Sequence, residues 1–259
     1  MKSACYRQSG SSHYRKTIRL DQSIPDAYIA PPAVRVASLH RIVAHITHVD
    51  LVRFRTAMQN NANYDNYTGY IKRNNFFKKF KPTKKIYRLR SKIFKKKGNK
   101  FFQTKKFLYF GSGISIMNED KKFFEFEKNK WIKKNDTKEI GHHEKNIDKI
   151  LKYFLNIKYL WGGKTSEGID CSALIQIYFY YNRNFFPRDS KDQMKYCKKK
   201  LIKKQINDKM IFWKGHVAYC FNKRTLIHAY GPKKKVVIMS VEKTINKIFK
   251  DTKFRPIYV

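Results

Sequence analysis

Cys171 follows a glycine-punctuated stretch, Tyr159-Leu160-Trp161-Gly162-Gly163-Lys164-Thr165-Ser166-Glu167-Gly168-Ile169-Asp170, and precedes an apolar run that begins Ser172-Ala173. A thiol placed there stands at the start of a helix, where unpaired N–H groups and the macrodipole favour the thiolate, its reactive form. Two histidines lie downstream: His216 within Phe212-Trp213-Lys214-Gly215-His216-Val217-Ala218-Tyr219, and His228 within Thr225-Leu226-Ile227-His228-Ala229-Tyr230. A thiol nucleophile needs a base within hydrogen-bond reach, and the base needs a third polar group to orient it. Cys171, His216 and His228 supply one group for each role, so the residue types allow acyl transfer through a thioester.

Several elements must bring these groups together. Apolar residues Ile147, Ile150, Leu151, Phe154 and Leu155 recur at helical spacing and predict a helix over 144–156. A loop over 157–170 follows, then a helix over about 172–181 with Leu174, Ile175, Tyr178 and Phe179 as its apolar side. Strands are expected at 210–213, 216–221, 226–229 and 236–240, a helix at 243–249 and a closing strand at 254–259. Helices first and a strand cluster after them is an α+β order.

The succession Tyr159-x-Trp161-Gly162-Gly163, Gly168-Ile169-Asp170-Cys171-Ser172, Pro187-Arg188-Asp189-Ser190-x-x-Gln193, His216-Val217 and Ile227-His228-Ala229 resembles the NlpC/P60 cysteine peptidases. The resemblance covers residues 139–259, and Phe212-Trp213-Lys214-Gly215-His216-Val217 is similar to the cytoplasmic-type bacterial members that cut γ-D-glutamyl bonds in cell-wall peptides. It implies a papain-like α+β domain, with the cysteine on a helix packed against an antiparallel sheet that carries both histidines.

Roles follow from that resemblance. Cys171 is the expected nucleophile, His216 the base and later the acid for the leaving amine, and His228 the orienting partner. Tyr159 is expected to join the Cys171 N–H in holding the oxyanion. Asp170, Ser172, Asp189 and Ser190 match positions that bind the substrate's N-terminal amine and the D-Glu carboxylate region; otherwise Asp170, Asp189 and Ser190 read as helix caps. Arg188 and Gln193 read as structural, and His142 and His143 as solvent-exposed. The chain departs from the family pattern at Ala173 and Ala218, where glycines are usual, and at Asp208-Lys209, where Gly-Asp is usual. The implied activity is hydrolysis of γ-D-glutamyl–diamino acid bonds in a released murein peptide. The alternatives are a papain-like amidase or acyltransferase with the same triad, and a catalytically degenerate binding protein.

The rest of the chain reads differently. Residues 1–60 hold seven Arg and two Lys against seven Arg and forty-two Lys in 61–259. They read as a disordered extension or a mis-called start, with one short element around 34–52. Residues 61–138 read as short strands, at 67–72, 85–94, 106–117 and 123–133, separated by turns such as Lys97-Gly98-Asn99. By rhythm and position this segment resembles a bacterial SH3-like β-barrel, a module that often precedes NlpC/P60 domains.

With 259 residues, 42% hydrophobic, the chain is long enough for two small domains. No apolar run approaches the ~18 residues of a membrane span, and charges at Arg7, Arg15, Lys16, Arg19, Asp21 and Asp26 break any signal-peptide core. The expected location is cytoplasmic, with no membrane partner. Cys5, Cys171, Cys197 and Cys220 match no zinc or redox spacing, so free thiols and no metal or organic cofactor are expected. The net charge of +39 comes from lysines spread over the whole chain, without a nucleic-acid-binding motif. Non-specific polyanion binding at low salt is expected, rather than a specific nucleic-acid partner. Nothing in the residues speaks to oligomeric state.

Overall fold

The computed structural model describes residues 57–61, 68–72, 81–199 and 203–259. Cys5, the element expected around 34–52 and all of the atypical segment before Ala57 lie outside the described residues. Strands β1 (Ala57–Asn61) and β2 (Thr68–Lys72) pair antiparallel, so the strand expected at 67–72 has a partner that crosses residue 60.

Eight strands follow: β3 (Lys84–Ile86), β4 (Arg90–Lys97), β5 (Lys100–Tyr109), β6 (Gly113–Ile114), β7 (Asn118–Glu119), β8 (Phe123–Glu127), β9 (Lys130–Lys133) and β10 (Thr137–Glu139). They form antiparallel sheets in the orders β10-β3-β6 and β5-β4-β9-β8-β7. Ile86, Ile93, Leu108, Ile114, Phe126 and Ile132 fill the core of this β unit.

Three strands expected to be continuous are each broken. The expected 85–94 strand divides at residues 87–89, after Tyr87 N–H donates to Asp136 O at 2.8 Å and so extends the register with β10 by one residue. The chain passes there from one sheet to the other. The expected 106–117 strand ends at Tyr109, because Gly111 turns at φ 80° before β6 begins. A side chain at Gly111 would also meet the Tyr180 ring, whose nearest carbon lies 3.0 Å from the Cβ position. The expected 123–133 strand is the hairpin β8–β9, turned at Asn129 with φ 52°. Asparagine tolerates that conformation, and here its side chain accepts from Lys96 N–H at 2.7 Å.

The remaining residues form the second unit. Its elements are α1 (Ile147–Tyr153), the short pair β11 (Lys164–Thr165) and β12 (Gly168–Ile169), α2 (Cys171–Tyr181), α3 (Ser190–Lys198), α4 (Lys204–Asn207), β13 (Met210–Trp213), β14 (His216–Cys220), β15 (Thr225–Tyr230), β16 (Lys235–Ser240), α5 (Val241–Thr252) and β17 (Ile257–Tyr258). The antiparallel sheet runs β16-β15-β14-β13-β17. Alternation assigns its faces: Met210, Phe212, Val217, Tyr219, Ile227 and Ala229 pack with α1 and α2, whereas Ile211, Trp213, Ala218, Leu226 and Tyr230 pack with Ile248 of α5. The helices and the sheet thus form the expected α+β arrangement. α1 is shorter than expected because Asn146 caps its start through a bond from Lys149 N–H, and the chain leaves the helix at Phe154. Among the described residues no helix is long and apolar enough to cross a membrane.

α2 is the hub. Every residue of it but Tyr180 is buried, as expected of a helix that is apolar nearly all round rather than on one stripe. The sheet covers one side, α1 and α3 cover others, and the β unit closes its C-terminal end. There Phe110 stacks on Tyr181 at 4.7 Å between ring centroids, and Lys85 Nζ donates to Tyr181 O at 2.6 Å.

Candidate active site

Asp170 is the residue before α2, and its carboxylate caps the helix by accepting from Ala173 N–H at 2.8 Å. Cys171 is the first helical residue, buried at the junction of helix and sheet. Its Sγ lies 4.0 Å from Gly215 O, so the sulfur sits against the backbone beside His216. Burial pushes the Cys171 thiol up to about 12, and the neighbouring Asp170 carboxylate adds to the rise. The N–H groups of Val217 and Ser172 and the Arg188 guanidinium oppose it without cancelling it. The helix N-terminus alone would favour the thiolate; desolvation and an acidic cap outweigh it, and the resting sulfur is a neutral thiol.

The glycines before Cys171 allow a close approach of backbone to backbone. A Cβ on Gly163 would lie 2.4 Å from Gly168 O, so the residue before β11 approaches β12 at a distance that only glycine permits. Gly162 N–H donates to Asp170 Oδ2 at 2.9 Å. Tyr159 is half-buried, paired in parallel with Ile169 and held by its N–H to Lys234 O at 2.8 Å. It therefore stands beside the segment leading into Cys171. Trp161 is 51% exposed on the same loop.

His216 opens β14 and His228 lies inside β15. His216 Nε2 is 2.9 Å from His228 Nδ1. The bond leaves His216 Nδ1, the ring nitrogen nearer the residue's own backbone, unengaged by His228. Burial pushes the His216 imidazole down to about 4, with the Asp170 carboxylate opposing. His228 is completely buried, and desolvation, then the charge of His216, holds its imidazole well below the ordinary value. Both rings are neutral at neutral pH, so thiol and imidazole rest uncharged. The Tyr230 ring stacks on His228 at 4.5 Å and fixes its plane.

Asp170, Ser172 and Arg188 form one buried network. Arg188 Nη1 donates to Asp170 Oδ1 at 3.0 Å and to Ser172 Oγ at 2.8 Å, and its Nη2 donates to Asp170 Oδ2 at 2.5 Å. Ser172 Oγ donates to Asp170 Oδ1 at 3.1 Å. With Ala173 and Gly162, both carboxylate oxygens are fully engaged. Arg188, read from the sequence as structural, is therefore the counter-charge of the residue next to the sulfur. Asp189 precedes α3 and Ser190 is its first residue, both half-buried. Gln193, one turn on, donates to Ser172 O and Pro187 O at 2.9 Å each, which ties α3 to the start of α2.

Other expected positions differ. His142 is half-buried rather than solvent-exposed: its Nδ1 is 2.8 Å from Tyr181 Oη, and its ring packs edge-on against Tyr87. The β unit covers it. His143 is exposed as expected. Cys197 and Cys220 are free thiols, as is Cys171. Among the described residues no cluster of His, Cys, Asp and Glu is arranged to hold a metal ion.

Residues 156–253 match the model of the NlpC/P60 family, and this part of the chain is an NlpC/P60 domain. A curated relative, gamma-D-glutamyl-L-lysine dipeptidyl-peptidase of Bacillus subtilis (strain 168), is 25% identical over 127 residues, or 45% of this chain and 43% of the relative. The match thus spans less than half of that protein's length. The crystal structure of an NlpC/P60 family protein from Bacillus cereus ATCC 10987 superposes with a TM-score of 0.54 and 18% identity, covering 70% of this chain and 68% of that one. At that identity the likeness is one of fold.

Proposed function

We propose that this protein is a cysteine peptidase that hydrolyses γ-D-glutamyl–diamino acid bonds in peptidoglycan-derived peptides. The observation that carries the reading is the hydrogen bond between His216 and His228 beside a cysteine at the first turn of a buried helix. The name of the Bacillus subtilis relative supports the choice of bond.

The chemistry proceeds from neutral partners. The substrate carbonyl enters beside Cys171, His216 Nδ1 takes the thiol proton as sulfur attacks, and the imidazolium remains bonded to His228 through Nε2. Charge thus forms as the C–S bond forms, which suits a thiol that burial keeps protonated. The Cys171 N–H and Tyr159 hold the oxyanion, His216 passes its proton to the leaving amine, and water hydrolyses the thioester. Ser190 and Asp189 are assigned to the D-Glu carboxylate and the substrate amine. Asp170 and Ser172, already bonded to Arg188, are assigned to holding that wall in position. The β unit of residues 84–139, with its own apolar core, is assigned as the SH3-like module.

The test is mass spectrometry of L-Ala-γ-D-Glu-L-Lys and L-Ala-γ-D-Glu-meso-diaminopimelate after incubation with the protein and with Cys171→Ala. Release of L-Ala-D-Glu by the parent alone supports the reading; cleavage that survives Cys171→Ala refutes it. The elevated Cys171 thiol favours a second reading, a binding protein that has lost turnover. Under that reading iodoacetamide alkylates Cys171 no faster than Cys197 and Cys220, and neither peptide is cut.

A further inference from the structure

We propose that Met239 is a positioning residue of this site: its thioether accepts the proton on His228 Nε2 and so fixes the tautomers of both histidines. The inference rests on the proposed peptidase reading for its consequence, but its geometry stands apart from any substrate.

Met239 lies on β16, beside the strand that carries His228. The register pairs His228 with Val237, so Met239 is two residues along on the same face, within diagonal reach of the ring. Its Sδ lies 3.3 Å from His228 Nε2. His228 is 0% exposed, so its ring nitrogens find their partners within the protein. A thioether carries no proton and can only accept, and a neutral imidazole has one donor nitrogen and one acceptor nitrogen. If Nε2 carries the proton, it donates to Met239 and Nδ1 becomes an acceptor. His216 Nε2 must then be the donor across the 2.9 Å contact. That assignment leaves His216 Nδ1 with its lone pair, ready to take the Cys171 proton.

The opposite assignment fails twice. With the proton on His228 Nδ1, the lone pairs of Nε2 and Sδ would face each other at 3.3 Å with no hydrogen between them. His216 would then accept at Nε2 and carry its own proton on Nδ1, where it could not receive one from the thiol. In the productive arrangement the S–H bond breaks, its proton goes to His216 Nδ1, and the electron pair stays on sulfur for attack. His228 remains neutral throughout and accepts a bond that strengthens as His216 becomes charged.

The experiment is long-range ¹H–¹⁵N correlation of the imidazole rings in the full chain labelled with ¹⁵N-histidine, assigned with His228→Gln and read at pH 7.5. The parent is expected to carry its proton on Nε2 in both His216 and His228. Met239→Leu keeps the bulk and loses the acceptor. It is expected to mix the tautomers and slow Cys171 alkylation and kcat about 3- to 10-fold, the loss of one modest hydrogen bond, with KM unchanged. A proton on His228 Nδ1 in the parent would overturn the proposal, as would Met239→Leu with unmixed tautomers and parental rates. If the variant does not fold, the parent spectrum alone decides. If the parent shows both Nε2 protons and cuts neither peptide, the peptidase reading fails while the assignment of Met239 stands.

Discussion

At the N-terminal end of α2 the buried carboxylate of Asp170 meets a bidentate Arg188, the Ser172 hydroxyl and two backbone N–H groups. At the C-terminal end the buried ammonium of Lys85 meets the carbonyl of Tyr181 and, 4.1 Å away, the face of its ring. Both charges have the sign that the helix dipole prefers at that end. They differ in what answers them: an opposite formal charge at one end, neutral dipoles at the other. The consequence shows in Lys85, which desolvation, with the Arg183 charge adding to it, pushes down to about 8. One end of the helix is a locked ionic network beside the sulfur; the other is a docking contact for the β unit.

The largest way to break the comparison is to remove the counter-charge. Arg188→Met leaves Asp170 buried without its cation and is expected to cost about 3–5 kcal/mol in urea unfolding. It also withdraws the positive charge of Arg188, which opposes the rise of the Cys171 thiol, so any surviving folded protein should alkylate more slowly than the parent. The double variant Asp170→Asn with Arg188→Met should recover part of the loss, because the two residues are in direct contact and their effects do not add.

Next comes the ring that orients His216. His228→Leu is expected to lower kcat for the γ-D-glutamyl peptide by roughly one to two orders of magnitude, at the lower end of what acid–base catalysis supplies, because the base itself remains. Far-UV circular dichroism should be unchanged. A variant of parental kcat would detach His228 from the site and leave it a core residue.

Much of the N-terminal end was legible from the sequence, and little of the C-terminal end was. Strand β13 is found at the expected 210–213, and β14 to β16 lie within a residue of expectation, because apolar runs bounded by polar turns specify them. Cys171, His216 and His228 stand out by residue type and neighbours. The pairing of Arg188 with Asp170 does not, since spacing alone cannot tell which of many cations a carboxylate will meet. Met239 reads as one more apolar strand residue until its neighbour is known to be a histidine. At the other end, Lys85 sits in a strand rich in lysine and His142 in a polar stretch; only the packing of the β unit onto α2 buries them. The divided strands were missed for a related reason: the segment at 87–89 turns to serve two sheets, which no alternation pattern announces.

The two ends also separate by pH. His216 and His228 bind a proton less readily in the folded chain than in the unfolded one. As pH falls below 6.5 the unfolded chain takes up protons that the folded one refuses, so stability falls. The slope is at most about 1.4 kcal/mol per pH unit for each ring, and it continues for His216 until about pH 4. His142, also shifted down, acts in the same direction. Chemical denaturation between pH 6.5 and 5 should therefore show a positive slope of stability with pH that His228→Gln reduces. An unchanged slope would mean that His228 is protonated without cost.

Lys85 gives the smallest effect and the opposite window. Its ammonium is harder to bury than to leave in water, so above about pH 8 the folded chain releases a proton that the unfolded chain keeps until about 10.5. Stability contributed by this group therefore rises with pH between those values. Lys85→Met removes the buried charge and keeps most of the bulk, while it forfeits a hydrogen bond at the helix end. These two changes oppose each other, and the net change at pH 7 is expected to stay within about 1 kcal/mol. The variant should lose the alkaline rise relative to the parent, and Cys171 should alkylate at the parental rate, since no charge near the sulfur has changed. If Lys85→Met instead slowed alkylation as Arg188→Met does, the ends would be energetically coupled along α2, and the β unit would be part of what holds the thiol in place.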